Sequence, residues 1–376
     1  MSRRGKHRLT LQPSLVSKSV SAWPDLDQAA WAKAAKIGSP LEPGGWASLW
    51  APLSRKKAET DYGRWIAWLE RQGELDLALA PEARATRERV GRYLKHLQSR
   101  LSTFTVQSAL QGLGDVLRVM TETQAFGWIS KAAARLRARA TSTKNKRQKI
   151  RSPDQLVDLG VGLMAGADVL GETDATGAAL QYRNGLIIAF LAYCPIRAAN
   201  LAMIAIGQHL VKRGDAWWLM FVAAETKQRK HLEFPFPVGL APALEHYLML
   251  HRPILAARGA HCGSAGAALW ISQDGGVLTA GGMAQAIERL TKAAFGASIN
   301  PHLFRDCAAT GIAIDAPEHA HIIAPILGHS TPETSERHYN LARGLDARRQ
   351  YHVILGTKRK NARQERNKTG HPARAE

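Results

Sequence analysis

A stretch near the middle of the chain, from Lys131 to Arg151, most constrains how the chain can fold. It reads KAAARLRARATSTKNKRQKIR and contains nine basic residues and no acidic one. Its second half is polar and lacks apolar periodicity, so it cannot contribute a stripe to a hydrophobic core. A chain of 376 residues is also long for one average domain. The sequence therefore predicts two domains that are joined by a basic linker.

Three segments before the linker have apolar residues at three- and four-residue steps, which is typical of helices that bury one face. Together they predict a compact helical module over residues 45–140, followed by the linker at 141–151. Residues 1–44 are interpreted as a basic leader of unknown role, with a short helix near Asp25 to Lys36. The three stripes consist of Ala58, Tyr62, Trp65 and Leu69; of Val90, Tyr93, Leu94 and Leu97; and of Val106, Leu110, Leu113, Leu117 and Met120.

The apolar pattern changes period within the second domain, which is predicted over residues 152–355. Helical patterns extend to about Ala205, and the segment QHLVKRGDAWWLMFVAAETKQRKHLEFPFP then predicts a short antiparallel β-meander. Pro235 and Pro237 would confine its last strand to a sheet edge. Helices resume near Val238, and the basic tail at 356–376 is expected to be disordered. The predicted fold class is mainly α, with a mixed α/β second domain.

The charge balance indicates a polyanionic partner. The chain has 51 Lys and Arg against 31 Asp and Glu, a net charge of +20. Such an excess is typical of proteins that neutralise many phosphates, which favours nucleic acid. The longest apolar run, from Gly185 to Cys194, is too short to cross a bilayer. We therefore expect a cytoplasmic DNA-binding protein that has no membrane partner.

The cations of the basic stretch from Lys131 to Arg151 are the predicted DNA contacts outside the second domain. An acid-free basic segment between two domains can follow a phosphate backbone, although a solvated linker is the alternative explanation. The expected contacts are Arg135, Arg137, Arg139, Lys144, Lys146, Arg147, Lys149 and Arg151.

Six residues of the second domain form a candidate catalytic set. Taken singly, each has an ordinary structural explanation, such as an internal ion pair for an arginine or a packing role for a tyrosine. Together they suit a phosphodiester, because arginine forks match its non-bridging oxygens and a tyrosine hydroxyl can act as a nucleophile. The six are Arg197, Lys227, His302, Arg305, His329 and Tyr339.

These residues lie in motifs that resemble those of the tyrosine recombinases, the phage-type integrases. The matching segments are PIRAANL at Arg197, TKQRKHLEFPFP at Lys227, HLFRDCAAT at His302 and Arg305, LGH at His329, and ERHY at Tyr339. The resemblance covers residues from about Ser152 to Ala342. It also makes the helical module similar to that family's core-binding, SAM-like domain, and the second domain similar to its catalytic domain.

The resemblance implies a role for each of the six residues. Tyr339 would attack the scissile phosphate, forming a 3′-phosphotyrosine and releasing a 5′-hydroxyl. Arg197 and Arg305 would hold the non-bridging oxygens, and His329 would donate a hydrogen bond to the phosphate. The other two would move protons, with Lys227 at the leaving oxygen and His302 at the tyrosine.

The resemblance also implies how such an enzyme works. A 5′-hydroxyl from a second duplex reverses the reaction and joins new strands, so neither a cofactor nor a metal is required. Family members act as a homo-tetramer on two double-stranded DNA sites; the free protein is expected to be a monomer. The expected function is a site-specific DNA recombinase that integrates or excises a mobile element, with accessory DNA-bending proteins as further candidate partners.

The motifs depart from the common family pattern in three places, and two residues are rivals to the predicted ones. Asn200 stands where a glutamate often occurs, and Asp306-Cys307 replaces a usual His-Thr pair. The gap from His329 to Tyr339 is one residue longer than usual. Lys230 is a rival to Lys227, and Tyr351 is a rival nucleophile if that longer gap does not suit Tyr339.

Three other functions are compatible with the sequence. A type IB topoisomerase uses the same kinds of group to nick and reseal one duplex. A non-catalytic integrase-like protein would only bind DNA. A metal-dependent nuclease is the weakest alternative, and its candidate ligands would be His319, His321, His329 and His338.

Overall fold

The computed structural model describes residues 16–122, 125–140, 146–227, 229–261, 265–327, 347–348 and 350–364. The described part is mainly helical with a three-stranded antiparallel sheet, which confirms the predicted fold class. The chain divides into two compact units, Met1–Lys144 and Asn145–Glu376. None of the described helices is both long enough and apolar enough to span a membrane.

Six α-helices build the described part of the first unit. Residues with cap-forming side chains begin two of them: Ser102 accepts a hydrogen bond from the Thr105 backbone N–H, and Thr86 accepts one from that of Arg89. The helices are α1 (Asp25–Ala35), α2 (Pro52–Arg71), α3 (Pro81–Arg84), α4 (Arg87–Gln98), α5 (Thr103–Thr121) and α6 (Gly127–Arg139), with 3₁₀ turns at Val20–Ala22 and Trp46–Leu49.

Aromatic rings form much of the first unit's core, and part of the predicted leader belongs to it. Trp65 stacks on Trp68 with ring centroids 5.4 Å apart. Trp23 and Trp31, from the segment interpreted as a leader, are buried in the same core, and Trp23 contacts Tyr62 edge to face. The boundary at residue 45 is therefore wrong for residues 16–44, because burying two indole rings makes their segment part of the module.

A buried ion pair joins three helices of this unit. Arg84, at the end of α3, is 1 % exposed and forms a salt bridge with Asp27 of α1, which is fully buried. The Tyr62 hydroxyl of α2 donates a hydrogen bond of 2.5 Å to the same carboxylate. Burial, followed by the charge of Asp27, raises the pKa of Tyr62 well above its ordinary value, so Tyr62 remains a donor.

The described residues of the second unit form eight further α-helices, an exposed helix in the tail and the sheet. Its first helix begins with a capping box between Ser152 and Gln155. The helices are α7 (Pro153–Gly171), α8 (Ala175–Tyr193), α9 (Ala198–Ala202), α10 (Ala241–His246), α11 (Arg252–Ala257), α12 (Ala280–Phe295), α13 (Pro301–Asp315) and α14 (Ile323–Leu327). A π-helical turn lies at Tyr247–His251, and 3₁₀ turns lie at Lys146–Lys149, Ala223–Glu225, Val238–Leu240, Arg258–His261 and Pro317–Ile322.

The sheet confirms the predicted meander. Strands β1 (Leu210–Arg213), β2 (Ala216–Phe221) and β3 (Leu232–Pro235) pair in sequence order, with β2 in the centre. Leu219 of β2 lies opposite Leu210 on one side and Phe234 on the other. Pro235 lies in the edge strand β3, as expected of a residue that cannot donate a ladder hydrogen bond.

Helix α8 runs through the core of the second unit and packs closely on α7. Side chains from Ala178 to Ala192 along α8 are largely buried. At the crossing, Gly160 of α7 faces Gly185 of α8, and a Cβ atom on either would come within 2.6 Å of the other's carbonyl oxygen. The absence of both side chains thus lets the two backbones touch.

The basic tail begins with a helix rather than with disorder. Residues 350–364 are helical, and all their side chains are exposed. Lys, Arg, Gln, Ala and Glu dominate residues 358–365, and these residues have high intrinsic helix propensity. The disorder expected from residue 356 is therefore wrong for 356–364, where a polar composition coincides with good helix formers.

The buried ion pair of the first unit generates a stability prediction. We expect Asp27→Asn to lower the free energy of unfolding by about 3–5 kcal/mol, because it leaves the Arg84 guanidinium buried and unpaired. Urea unfolding followed by tryptophan fluorescence measures this. Seven of the ten tryptophans lie in the first unit and so report mainly on it.

Asp25 supplies the matched control, because it is an exposed carboxylate in the same first turn of α1. Asp25→Asn removes the same favourable interaction with the helix dipole but no buried pair, so its cost is expected to stay below about 1 kcal/mol. Equal costs for the two variants would contradict the dominant role of the pair.

Candidate active site

A cavity of about 790 Å³ in the second unit collects the candidate catalytic arginines. It lies where α8 ends and α9 begins, and α13, α14 and the β2–β3 hairpin complete its wall. Its lining includes Arg197, Lys230 and Arg305 together with Tyr193, Cys194, Pro195, Ile196, Asn200, Thr226, His231, Leu232, Glu233, Phe234 and residues 324–327.

Arg197 is held at the entrance to α9. Pro195 and Ile196 follow the end of α8, and Arg197 occupies the N-cap position of α9 with an extended backbone. Its side chain is half-buried. Among the described residues no carboxylate forms an ion pair with Arg197, so the internal partner considered from the sequence is not found there. The guanidinium therefore remains without a protein counter-charge in that part of the chain.

Arg305 is buried at the base of the cavity. It lies in the second turn of α13, whose N-cap Asn300 accepts a hydrogen bond from the Leu303 backbone N–H. Arg305 is only 6 % exposed, and it donates one hydrogen bond of 2.7 Å to the Pro195 carbonyl and another to the Leu327 carbonyl. These two bonds connect α13 to the end of α8 and to the end of α14.

The two arginines lie close enough to repel each other. Burial, followed by the positive charge of Arg197, lowers the pKa of Arg305, and Asp306 partly opposes this shift. Arginine remains charged in proteins at neutral pH, so two neighbouring guanidinium groups face one cavity. Such a site favours an anion that can accept hydrogen bonds from both.

The only carboxylate in the described lining is Glu233, and basic groups neutralise it. Arg213 donates a hydrogen bond of 2.5 Å to Glu233, and His231 lies 3.2 Å from its other oxygen. These bonds, that of Arg213 first, hold the pKa of Glu233 below its ordinary value. Nothing in the sequence alone indicated His231 and Glu233, because their pairing depends on Arg213 in another strand.

The β2–β3 hairpin places Lys230, rather than Lys227, against the cavity. The Thr226 hydroxyl donates to the Lys230 carbonyl at 2.7 Å and accepts from its N–H at 3.0 Å, which closes a tight turn. Arg229 within this turn has a left-handed backbone, with φ of 52°. Lys227 is exposed and is not among the described residues that line the cavity. The geometry therefore favours the rival lysine over the predicted one.

Asn200 fixes the start of this hairpin. Its buried amide nitrogen donates a hydrogen bond of 3.1 Å to the Glu225 carbonyl. His209 also holds Glu225: its Nδ1 accepts from the Ala205 N–H, so its Nε2 donates to the Glu225 carboxylate. A neutral amide thus connects α9 to the hairpin at the position where many family members have a glutamate.

The remaining predicted catalytic residues are not brought into this cavity by the described structure. His302 is exposed in the first turn of α13 and interacts with other residues there. It does not line the cavity. His329 and Tyr339 lie outside the described residues. Leu327, whose carbonyl binds Arg305, precedes His329 by two positions.

The predicted DNA-contacting cations have different surroundings. Arg135, Arg137 and Arg139 are exposed on α6, and Lys149 is exposed beyond it. Arg151 instead donates to the carbonyls of Gln148, Ile150 and Phe295, and its guanidinium lies 5.4 Å from the Phe295 ring centroid. Arg151 therefore has a structural role. Lys144 and the side chains of Lys146 and Arg147 lie outside the described part.

The chain was compared with known families, curated proteins and solved structures. No family model matches the chain, and no curated protein matches it either. Two solved structures of the XerH site-specific recombinase do match. The post-cleavage complex with palindromic difH covers 90 % of this chain and 99 % of its own, with a TM-score of 0.52 and 12 % identity.

The pre-cleavage complex of XerH with its difH substrate covers 77 % of each chain, with a TM-score of 0.50 and 14 % identity. At such low identity the likeness concerns the fold alone. It is nevertheless the fold that the motifs around Arg197 and Arg305 imply. The chain therefore has the fold of the tyrosine recombinases.

Proposed function

We propose that this protein is a site-specific DNA recombinase that cleaves and rejoins strands through a covalent 3′-phosphotyrosine intermediate at Tyr339. The observation that carries the proposal is the convergence of Arg197 and Arg305 on one cavity without a described carboxylate to pair with Arg197. The fold shared with XerH, which was solved bound to its difH substrate, supports double-stranded DNA as the partner.

Two guanidinium groups suit phosphoryl transfer in particular. The transition state accumulates negative charge on the non-bridging oxygens, and preorganised cations stabilise that charge most where water is excluded. Arg305 uses one N–H of each terminal nitrogen on a carbonyl oxygen, so its orientation is set before DNA binds. Its remaining donors, together with those of Arg197, can hold the scissile phosphate.

The proton for the leaving 5′ oxygen comes, in this proposal, from Lys230. Lys230 joins the two arginines in the described lining of the cavity, and the Thr226 turn restricts where its backbone can lie. Lys227, from the sequence-based prediction, is the alternative donor. The family resemblance implies that His302 accepts the second proton, which comes from the Tyr339 hydroxyl.

The wider role follows from the same resemblance. The proposed reaction conserves the ester bond energy in the phosphotyrosine, so a second duplex can reverse it without a cofactor. We propose a homo-tetramer on two DNA sites, the integration or excision of a mobile element, and a cytoplasmic protein, with exposed Arg135, Arg137 and Arg139 on the phosphate backbone.

The covalent intermediate can be tested even though the DNA site is not specified. A library of random duplexes, each nicked so that religation is blocked, is incubated with the protein. We expect SDS-resistant protein–DNA complexes, whose sequencing gives the preferred site and whose peptide mapping gives the attached residue. Tyr339→Phe is expected to abolish these complexes, because it removes the nucleophile.

Tyr351→Phe is the matched control, because Tyr351 is a nearby tyrosine and is 58 % exposed. It is expected to retain full adduct formation. Adducts that persist in Tyr339→Phe and vanish in Tyr351→Phe would show that Tyr351 is the nucleophile. Efficient relaxation of arbitrary supercoiled plasmid would instead favour the type IB topoisomerase, and binding without any adduct would favour the non-catalytic alternative.

The two lysines of the hairpin can be separated in the same assay. Lys230→Ala is expected to slow adduct formation on the selected site by at least about 100-fold, the lower range for loss of a general acid. Lys227→Ala is expected to change the rate only a few-fold, because its side chain does not line the cavity.

A substrate with sulfur in place of the leaving 5′ oxygen tests the chemical role. A thiolate leaves without a proton, so this substrate should restore the rate of Lys230→Ala to near that of the parent. A rate that stays low would mean that Lys230 only binds DNA. If adduct formation were instead slower with Lys227→Ala than with Lys230→Ala, Lys227 would be the proton donor.

A further inference from the structure

A second polar cluster of the same unit lies away from the cavity and takes no part in the proposed reaction. Asp168 near the end of α7, His246 at the end of α10 and His251 at the end of the π-helical turn approach one another. One donor atom of each lies within 4.8 Å of the other two. The two imidazole rings have centroids 5.1 Å apart.

The π-helical turn brings the two histidines together. Five-residue spacing would place His246 and His251 on different faces of a regular α-helix, since α-helical neighbours are three or four residues apart. The turn at Tyr247–His251 has i→i+5 geometry, so residues five apart return to the same face. Such turns occur frequently at functional sites.

His251 is buried and His246 is half-buried, and three of their ring nitrogens are unsatisfied. His251 is 3 % exposed, and neither of its ring nitrogens has a hydrogen-bond partner among the described residues; the same holds for Nε2 of His246. A neutral imidazole offers one donor and one acceptor, and buried polar atoms of this kind are normally paired. These three nitrogens are therefore available to bind a ligand.

Tyr182 of α8 orients the site but does not satisfy it. Its ring stacks on His251 with centroids 4.2 Å apart. Its hydroxyl donates to the Ala243 carbonyl instead of to either histidine. The stacking restricts the His251 ring, which leaves the nitrogen edges as the groups available for a ligand.

We propose that Asp168, His246 and His251 bind one divalent transition-metal ion, zinc in the first instance. Two imidazole nitrogens and one carboxylate form a known three-ligand set for zinc, with water as the fourth ligand. Exposed Asp168 gives the ion an entry path and leaves room for that water. Nitrogen ligands disfavour magnesium and calcium, which prefer oxygen.

The spacing of the donor atoms suits such an ion, since one donor atom of each residue lies within 4.8 Å of the other two. Zinc binds its donors at about 2.0–2.2 Å, which places tetrahedral donors about 3.5 Å apart. The side chains would therefore close by about 1 Å around the ion.

The proposed ion would stabilise the packing of the second unit rather than act on DNA. Tyr182 precedes Tyr193, where the cavity begins, by eleven residues of α8, or about 16 Å along the helix. Its ligands connect α7 to the segment that follows the hairpin. The proposal is independent of the proposed recombinase function, because its test needs no DNA.

The test is zinc uptake by the full-length protein. The purified chain is freed of metal with a chelator, dialysed against Zn²⁺ and analysed for bound metal per chain, with thermal unfolding recorded in parallel. We expect the parent to bind one more zinc than Asp168→Asn and His246→Gln do, or these variants to bind at least tenfold more weakly. Zinc should raise the Tm of the parent but not that of these two variants.

Asp158→Asn is the matched control, an exposed carboxylate on the same helix, and should behave as the parent does. His251→Phe keeps a ring to stack on Tyr182 but removes both buried nitrogens. It should unfold without zinc at the parent's Tm or above it and should not respond to zinc. Equal zinc uptake by the parent, Asp168→Asn and His251→Phe would overturn the proposal.

Discussion

The buried guanidinium of Arg305 holds the cavity together. Its two hydrogen bonds reach the Pro195 carbonyl after α8 and the Leu327 carbonyl at the end of α14. A cation that is 6 % exposed is costly unless its donors are used, so the chain must bring both carbonyls to it. The positions of two helix ends thus depend on one side chain of α13.

The same arrangement explains why the site favours binding of an anion. Burial, and after it the positive charge of Arg197, lowers the pKa of Arg305, and among the described residues no carboxylate forms an ion pair with Arg197. Glu233 is already engaged by Arg213 and His231. A bound phosphodiester would supply the missing negative charge, so the repulsion between the arginines becomes a source of binding energy for the proposed substrate.

The sequence predicted features that depend on local pattern and failed where tertiary contacts decide. The helical stripes, the meander and the edge position of Pro235 follow from periodicity and from proline's missing donor. Lys230 rather than Lys227 lies against the cavity because the turn geometry depends on the Thr226 hydroxyl, which no local pattern indicates. The assignment of Trp23 and Trp31 to a leader ignored a core that distant helices complete.

The cluster at His246 and His251 could not be read from the sequence for a related reason. Its five-residue spacing matches no regular helical face, and only a π-helical turn makes the residues neighbours. Asp168 is 78 residues earlier than His246 in the chain. Tertiary packing, rather than local propensity, brings these three groups together.

The glycine contact between α7 and α8 has a mechanical consequence. Where Gly160 meets Gly185, the helices touch backbone to backbone, so no side chain can change rotamer to absorb a sliding motion. The pair therefore behaves as one stiff unit. The two helices run antiparallel, since Gly160 meets Gly185 and Gly171 meets Ala178, so the start of α7 lies beside the Tyr193 end of α8. A displacement of the α7 start would consequently reach the Tyr193–Arg197 corner directly rather than dissipate in the core.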